Sequence, residues 1–185
     1  FIIMKKIKVA INGFGRIGRL LFRMAFGMEG IDIVAINDLG DIDNLAYLLK
    51  YDTVYSRYHK DVKVDGQNLV VDGKQIKVLQ IKNPAELPWK EIDIDVAVEA
   101  TGFFESYESA KAHLSAGAKR VVITAPAKDA DCADGKTVLM GVNEEALKAC
   151  SVSSNGSCTT NAVSPVIQIM SENPGIEKAM LSTVH

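Results

Sequence analysis

The sequence predicts an α/β fold: a doubly wound, mostly parallel sheet with an antiparallel insertion, followed by the start of a further domain. Three observations predict it. Short β-branched runs alternate along the chain with segments of helical apolar spacing; the first run breaks at a glycine-rich turn straight into a helix; and two Asp-Gly pairs punctuate a stretch where the strands alternate without helices between them. The 185 residues suffice for one well-formed domain and the opening of a second. A hydrophobic share of 48% and a charged share of 24% fit a soluble globular chain rather than a disordered or fibrous one.

The apolar run Ile7–Asn12 predicts the first strand, and the spacing of apolar residues over 17–26 a helix. The β-branched run 32–37 then completes a right-handed βαβ unit with parallel strands. A second helix follows over Ile42–Lys50, and residues 62–81, with turns at Asp65-Gly66 and Asp72-Gly73, form the antiparallel insertion. The parallel pattern resumes with a strand at 96–98, a helix over 106–116, and strands at 121–123 and 138–140. A short helix over Glu144–Ala149, a longer one over 163–170 and an opening strand over 176–184 end the reading. Phe1, Ile2 and Ile3, ahead of Met4, read as a leader remnant or misassigned start and are set aside.

Charge and cysteine usage narrow the function classes. A net charge of -2 with the signs interspersed offers no positive field, so no nucleic-acid partner is expected. Cys132, Cys150 and Cys158 are odd in number and lack metal-ligand spacing, which argues against a disulfide framework and for no metal site. No run approaches the roughly 18 apolar residues of a membrane span, and no targeting segment is seen, so a cytoplasmic protein without membrane contact is expected.

Residues 13–18 read Gly-Phe-Gly-Arg-Ile-Gly, a G-x-G-x-x-G pattern that alone is weak. Here it follows a strand and opens a helix, and Asp38 lies 20 residues past Gly18 at the end of the second strand, which together make the dinucleotide fingerprint of a Rossmann-type domain. Gly13 permits the tight turn, Gly15 lets the backbone approach a pyrophosphate, and Gly18 lets the helix pack close to the strand. The helix N-terminus supplies unpaired N–H donors and partial positive charge. The Asp38 carboxylate accepts hydrogen bonds from ribose hydroxyls and repels a 2′-phosphate, so NAD is favoured over NADP; its structural alternative is a strand-end acid or helix cap.

Ser157-Cys158-Thr159-Thr160-Asn161 precedes a predicted helix, placing Cys158 where a helix N-terminus favours the thiolate. The alternative, a small buried cysteine among hydroxyl-bearing capping residues, is equally compatible with the spacing.

The ordered segments NGFGRIGR (12–19), ND (37–38), ATGFF (100–104), TAPAKD (124–129) and SCTTN (157–161) resemble the glyceraldehyde-3-phosphate dehydrogenase family from Met4 to His185. That resemblance implies an NAD-dependent phosphorylating aldehyde dehydrogenase, with 4–156 as the NAD-binding domain and 157–185 as the start of a truncated catalytic domain. It implies that Cys158 attacks the aldehyde, that His185 activates it as general base and acid, and that Ser157 and Thr159 contact the phosphorylated substrate, beside a capping role. It also implies that Arg16 and Ile17 line the cofactor's phosphates and adenosine, that Lys82 stands where an arginine is common near the adenine, and that Thr101, Gly102 and Thr124 lie along the cofactor. Lys82 reads equally as a surface lysine. His59 and His113, without motifs, are expected to be exposed.

Two positions depart from the family: Ala162 where a second cysteine is usual, and Tyr55-Ser56 where His-Gly is usual. Neither touches the chemistry. The family's chain is nearly twice as long and assembles as a homotetramer, so weak or no turnover is expected of this chain alone. Implied partners are a small phosphorylated aldehyde and inorganic phosphate. The competing readings are an erythrose-4-phosphate dehydrogenase, a non-catalytic NAD-binding module, and a semialdehyde or acyl-phosphate reductase, against whose NADP preference Asp38 counts.

Overall fold

The computed structural model describes residues 5–184. Among the described residues nine strands form one sheet: β1 (Ile7–Asn12), β2 (Ile31–Asn37), β3 (Val62–Asp65), β4 (Asn68–Val71), β5 (Lys74–Leu79), β6 (Val96–Glu99), β7 (Arg120–Ile123), β8 (Gly135–Thr137) and β9 (Val152–Ser154). Their spatial order is β3-β4-β5-β2-β1-β6-β7-β9-β8, and every pairing from β5 to β8 is parallel. Only β3–β4 and β4–β5 are antiparallel, which is the expected insertion. Its two-residue turns carry positive φ at Gly66 (57°) and at both Asp72 (47°) and Gly73 (81°), the second being the type I′ pattern that matches strand twist.

Side-chain alternation divides the core between the two sheet faces. Ile11 and Ile33 join Phe14, Phe22, Leu45, Leu49, Leu69 and Ile76 on the face covered by α1 (Arg16–Ala25) and α2 (Ile42–Lys50). Ala10 and Ala35 join Trp89, Ile94, Ala97 and Ala116 on the other. Small residues on that face let a loop bearing Trp89 press against the strands. The α2 N-terminus is fixed by Asp41, whose carboxylate accepts from Asn44 N at 3.0 Å.

Several boundaries differ from the sequence reading. The helix expected over 106–116 is two single turns, α3 (Tyr107–Ala110) and α4 (Ala112–Ser115), hinged at Lys111; Ser106 and Ser109 close a capping box at its start. The strand expected at 138–140 lies at Gly135–Thr137, and an additional strand, β9, follows the 3-10 helix Glu144–Ala149. The last helix, α5 (Cys158–Glu172), is nearly twice as long as expected and runs through Pro165, which has no N–H to offer the Asn161 carbonyl. Residues 176–184 form no strand: they are irregular and exposed.

Candidate functional site: the cleft at the carboxyl ends of the strands

From β1 the chain first builds outward through β2 to β5, then crosses back to place β6 on the other side of β1. This reversal opens a crevice at the carboxyl ends of the strands, where open α/β sheets take their ligands. A cleft of about 580 Å³ lies there. Four strand ends contribute: Asn12 and Gly13 at the end of β1, Asn37 and Asp38 at the end of β2, Ile81 and Lys82 after β5, Ala100 and Thr101 after β6. Gly15, Leu39, Phe103 and Phe104 complete the wall.

Each glycine of the fingerprint has its own physical reason. Gly13 has φ +94°, and a Cβ there would lie 2.6 Å from the Ala100 carbonyl carbon. A Cβ on Gly18 would lie 2.0 Å from the Gly13 carbonyl oxygen, so only glycine lets α1 sit on the loop. Gly15 is the opposite case: no atom lies within 4 Å of its hypothetical Cβ, which would project into open space at the cleft. Gly15 caps α1 without a side-chain hydrogen bond, and no acid occupies the first turn, so the helix-end donors and dipole are left without a side-chain acceptor of the helix itself, at the edge of the cleft. A cradle open at Gly15, with positive potential behind it, fits a dinucleotide pyrophosphate.

Asp38 sits half-buried at the cleft wall. Its Oδ2 accepts from Phe14 N at 2.6 Å and its Oδ1 from Gly40 N at 2.8 Å, so the carboxylate is aimed by two backbone amides and retains acceptor capacity for a ribose. Lys82 is exposed in the cleft wall after β5, the strand that pairs with β2. Of the other expected cofactor residues, Thr101 lines the cleft, while Gly102 (φ +76°) lies next to it on the loop. Arg16 and Ile17 are exposed on the first turn of α1 beside the cleft, not in its wall. Thr124 stands one strand further on, after β7, its hydroxyl donating to the Glu99 carbonyl at 3.1 Å.

Sequence reasoning missed the polar layer beneath the cleft. Asn12, Asn37 and Glu99 are at most 5% exposed, and each ends an apolar strand, the one signal that could have found them. His113 belongs to the same layer: expected to be exposed, it is fully buried, stacked against Trp89 and hydrogen-bonded on both ring nitrogens. His59 is exposed, as expected.

Cys158 is exposed as the first residue of α5. Ser157 is the cap: its Oγ accepts from Thr160 N at 3.0 Å, and Thr160 Oγ1 accepts from Ser157 N at 3.2 Å. Asn161 Nδ2 ties the helix back to the approach loop through the Asn155 carbonyl at 2.6 Å. The amides of Cys158 and Thr159 occupy the first two helical positions, where no intrahelical acceptor exists. Because β9 runs parallel to β7 and β6, α5 begins on the same sheet edge as the cleft. His185 lies outside the described residues. Of the other thiols, Cys132 is exposed and Cys150 buried, and desolvation pushes the Cys150 thiol up. Among the described residues no cluster of three His, Cys, Asp or Glu could hold a metal ion, and no helix is long and apolar enough to cross a membrane.

Comparison with known proteins agrees with this geometry. Residues 7–107 match the family described as glyceraldehyde 3-phosphate dehydrogenase, NAD binding domain. The chain is 50% identical over 181 residues to glyceraldehyde-3-phosphate dehydrogenase of Geobacillus stearothermophilus, covering 97% of this chain and 53% of that protein. It is 47% identical over 182 residues to glyceraldehyde-3-phosphate dehydrogenase 2 of Bacillus subtilis, covering 97% and 52%. The cytosolic glyceraldehyde-3-phosphate dehydrogenase of Trypanosoma brucei brucei is 48% identical over 179 residues, with 97% and 53% covered. The chain thus spans about half the length of the curated relatives it matches. It belongs to the glyceraldehyde 3-phosphate dehydrogenase family, whose NAD-binding domain it carries.

Proposed function

We propose that this chain supplies the cofactor site and the nucleophile of an NAD-dependent phosphorylating glyceraldehyde-3-phosphate dehydrogenase, working in cytoplasmic glycolysis or gluconeogenesis as a homotetramer. Residues 4–156 form the NAD-binding domain in this reading, and 157–185 open the catalytic domain. One observation carries it: Cys158 begins a capped helix on the sheet edge that holds the dinucleotide cleft.

Gly13, Gly15 and Gly18, with the Arg16 and Ile17 amides, hold the pyrophosphate, Asp38 the ribose, and Lys82, Thr101, Gly102 and Thr124 border the rest. Cys158 Sγ bonds to the aldehyde carbon, giving a thiohemiacetal, with Ser157 and Thr159 beside the phosphorylated substrate. His185 would give the adduct's oxygen a proton as the thiohemiacetal forms and take it back as the carbon is oxidised, and NAD held in the cleft would supply the hydride acceptor. A phosphate oxygen then attacks the thioester carbon, releasing an acyl phosphate and returning the Cys158 thiolate.

The test follows NADH formation by the protein carrying this chain, with glyceraldehyde 3-phosphate or erythrose 4-phosphate, and with phosphate present or omitted. Phosphate-dependent reduction, faster with the triose and lost in Cys158→Ser, is expected. Reduction that survives Cys158→Ser or ignores phosphate overturns the mechanism, and a faster tetrose reassigns the substrate.

A further inference from the structure

Beneath the cleft a chain of buried hydrogen bonds crosses the ends of four strands, and its direction is fixed at both ends. At one end the Trp89 indole N–H, a donor only, donates to His113 Nδ1 at 2.9 Å. Nδ1 is therefore unprotonated, and Nε2 carries the proton that it donates to Glu99 Oε2 at 2.9 Å. At the other end Ile81 N donates to Asn37 Oδ1 at 2.9 Å, so Asn37 Nδ2 must donate, to the Ile81 carbonyl at 2.8 Å and to Asn12 Oδ1 at 2.7 Å. With Oδ1 taken as acceptor, Asn12 Nδ2 donates to Glu99 Oε2 at 2.6 Å. Glu99 Oε1 receives two further donors, Thr101 N at 2.8 Å and the Thr101 hydroxyl. Four donors thus converge on one carboxylate that is 2% exposed.

Glu99 does not line the cleft, but two of its partners, Asn12 and Thr101, do. The Thr101 hydroxyl, which donates its hydrogen bond to Glu99, accepts from Phe103 N at 3.1 Å, which sets the loop carrying Phe103 and Phe104. We propose that Glu99 is a positioning residue of the NAD site, held as an obligate acceptor by neutral His113 and Trp89, and that it sets the side chains of Asn12 and Thr101 and the loop after Thr101. This rests on the cleft being the NAD site. An amide at Glu99 cannot satisfy the array. Placed at Oε1, its NH2 faces the Thr101 N–H; placed at Oε2, it faces His113 Nε2–H, which Trp89 prevents from changing tautomer.

The experiment titrates NAD by calorimetry into the wild-type chain and into Glu99→Gln, His113→Gln, His113→Leu and Val152→Ala, the last a core truncation in β9 outside the array. Melting temperatures and the indole N–H resonance of Trp89, the chain's single tryptophan, are recorded for each. Glu99→Gln and His113→Leu are expected to weaken NAD binding about tenfold or more, and Glu99→Gln to shift the indole resonance two hydrogen bonds away. His113→Gln keeps an amide oxygen for Trp89 and an N–H for Glu99, and is expected to stay within about threefold of wild type. Should Glu99→Gln fail to fold, the His113→Gln and His113→Leu pair decides the matter. If the array variants bind NAD no more weakly than Val152→Ala at comparable loss of stability, or if His113→Gln fails to rescue, Glu99 is scaffold only and the proposal is overturned. If the wild-type chain itself does not bind NAD, the cofactor reading has failed and the proposal falls with it.

Discussion

Alanine at Gly15 and at Gly18 separates what the fingerprint does for folding from what it does for binding. At Gly18 the new Cβ meets the Gly13 carbonyl oxygen at 2.0 Å, which is 1.4 Å short of the 3.4 Å at which ordinary contact begins. That oxygen cannot retreat, because Gly13 is pinned by its N–H to the Asn37 carbonyl at 2.8 Å and by its positive φ. Helix α1 must lift from β1 instead, at the upper end of overpacking costs, about 3 kcal/mol. At this chain length each kcal/mol lowers the melting temperature by about 2–4 °C, so Gly18→Ala is expected to melt roughly 6–12 °C below wild type. At Gly15 the new Cβ meets nothing, φ is -69°, and the loss is that of glycine against alanine at an N-cap, at most about 1 kcal/mol. The methyl group instead occupies the space needed for close approach of a pyrophosphate, and losing about 2 kcal/mol of that contact weakens NAD roughly thirtyfold. Thermal melts and NAD calorimetry on both variants read the two effects. Wild-type affinity in Gly15→Ala, or wild-type melting in Gly18→Ala, would refute the reasoning.

Cys158→Ser should abolish turnover while leaving the NAD dissociation constant within about twofold, since Ser157 and Thr160 cap α5 without it; calorimetry beside the NADH assay checks this. Asp38→Ala removes the acceptor of the Phe14 and Gly40 amides and the charge opposing a 2′-phosphate, so NAD should weaken about tenfold while the NAD-to-NADP preference narrows, read by parallel titrations. Burial pushes the Tyr58 hydroxyl up to about 12 from 10.0. The unfolded chain therefore loses that proton first, and stability present below pH 10 declines between pH 10 and 12. Tyr58→Phe should flatten that decline and, because Tyr58 Oη has no hydrogen-bond partner among the described residues, raise stability at neutral pH by about 1 kcal/mol in urea melts. Alkylation at neutral pH followed by peptide mapping should modify Cys132 and Cys158 and spare Cys150 until the chain is unfolded.

Much of the fold is legible because hydrophobic period and turn chemistry agree. Ile7–Asn12 and Ile42–Lys50 carry their boundaries in the sequence, one by an apolar run stopped at Gly13, the other by Asp41 as cap and Lys50 in the last turn. Short strands near the sheet's end are harder: β8 and β9 have three residues each, too few to show a period, and their pairing is decided by neighbours distant in sequence. The apolar tail after Pro174 mimics a strand, yet residues 176–184 are irregular and exposed. In the site, Gly13, Gly15 and Asp38, which line the cleft, carry the local dinucleotide motif, whereas Lys82 and Thr101, also in its wall, are reached only through the family resemblance. Glu99 and His113 are not legible, because 14 positions separate them and only β6 and α4 packing together makes them partners. A lone histidine in a helical segment has no local signature that distinguishes a buried, doubly bonded ring from an exposed one.

The most direct test of the central claim is a crystal structure of the chain grown with NAD. The account predicts the pyrophosphate over the Gly13–Gly15 turn at the N-terminus of α1, with a ribose on the Asp38 carboxylate and the Glu99 array unchanged beneath. A dinucleotide bound away from this cleft, or a cleft left empty at saturating NAD, would contradict it.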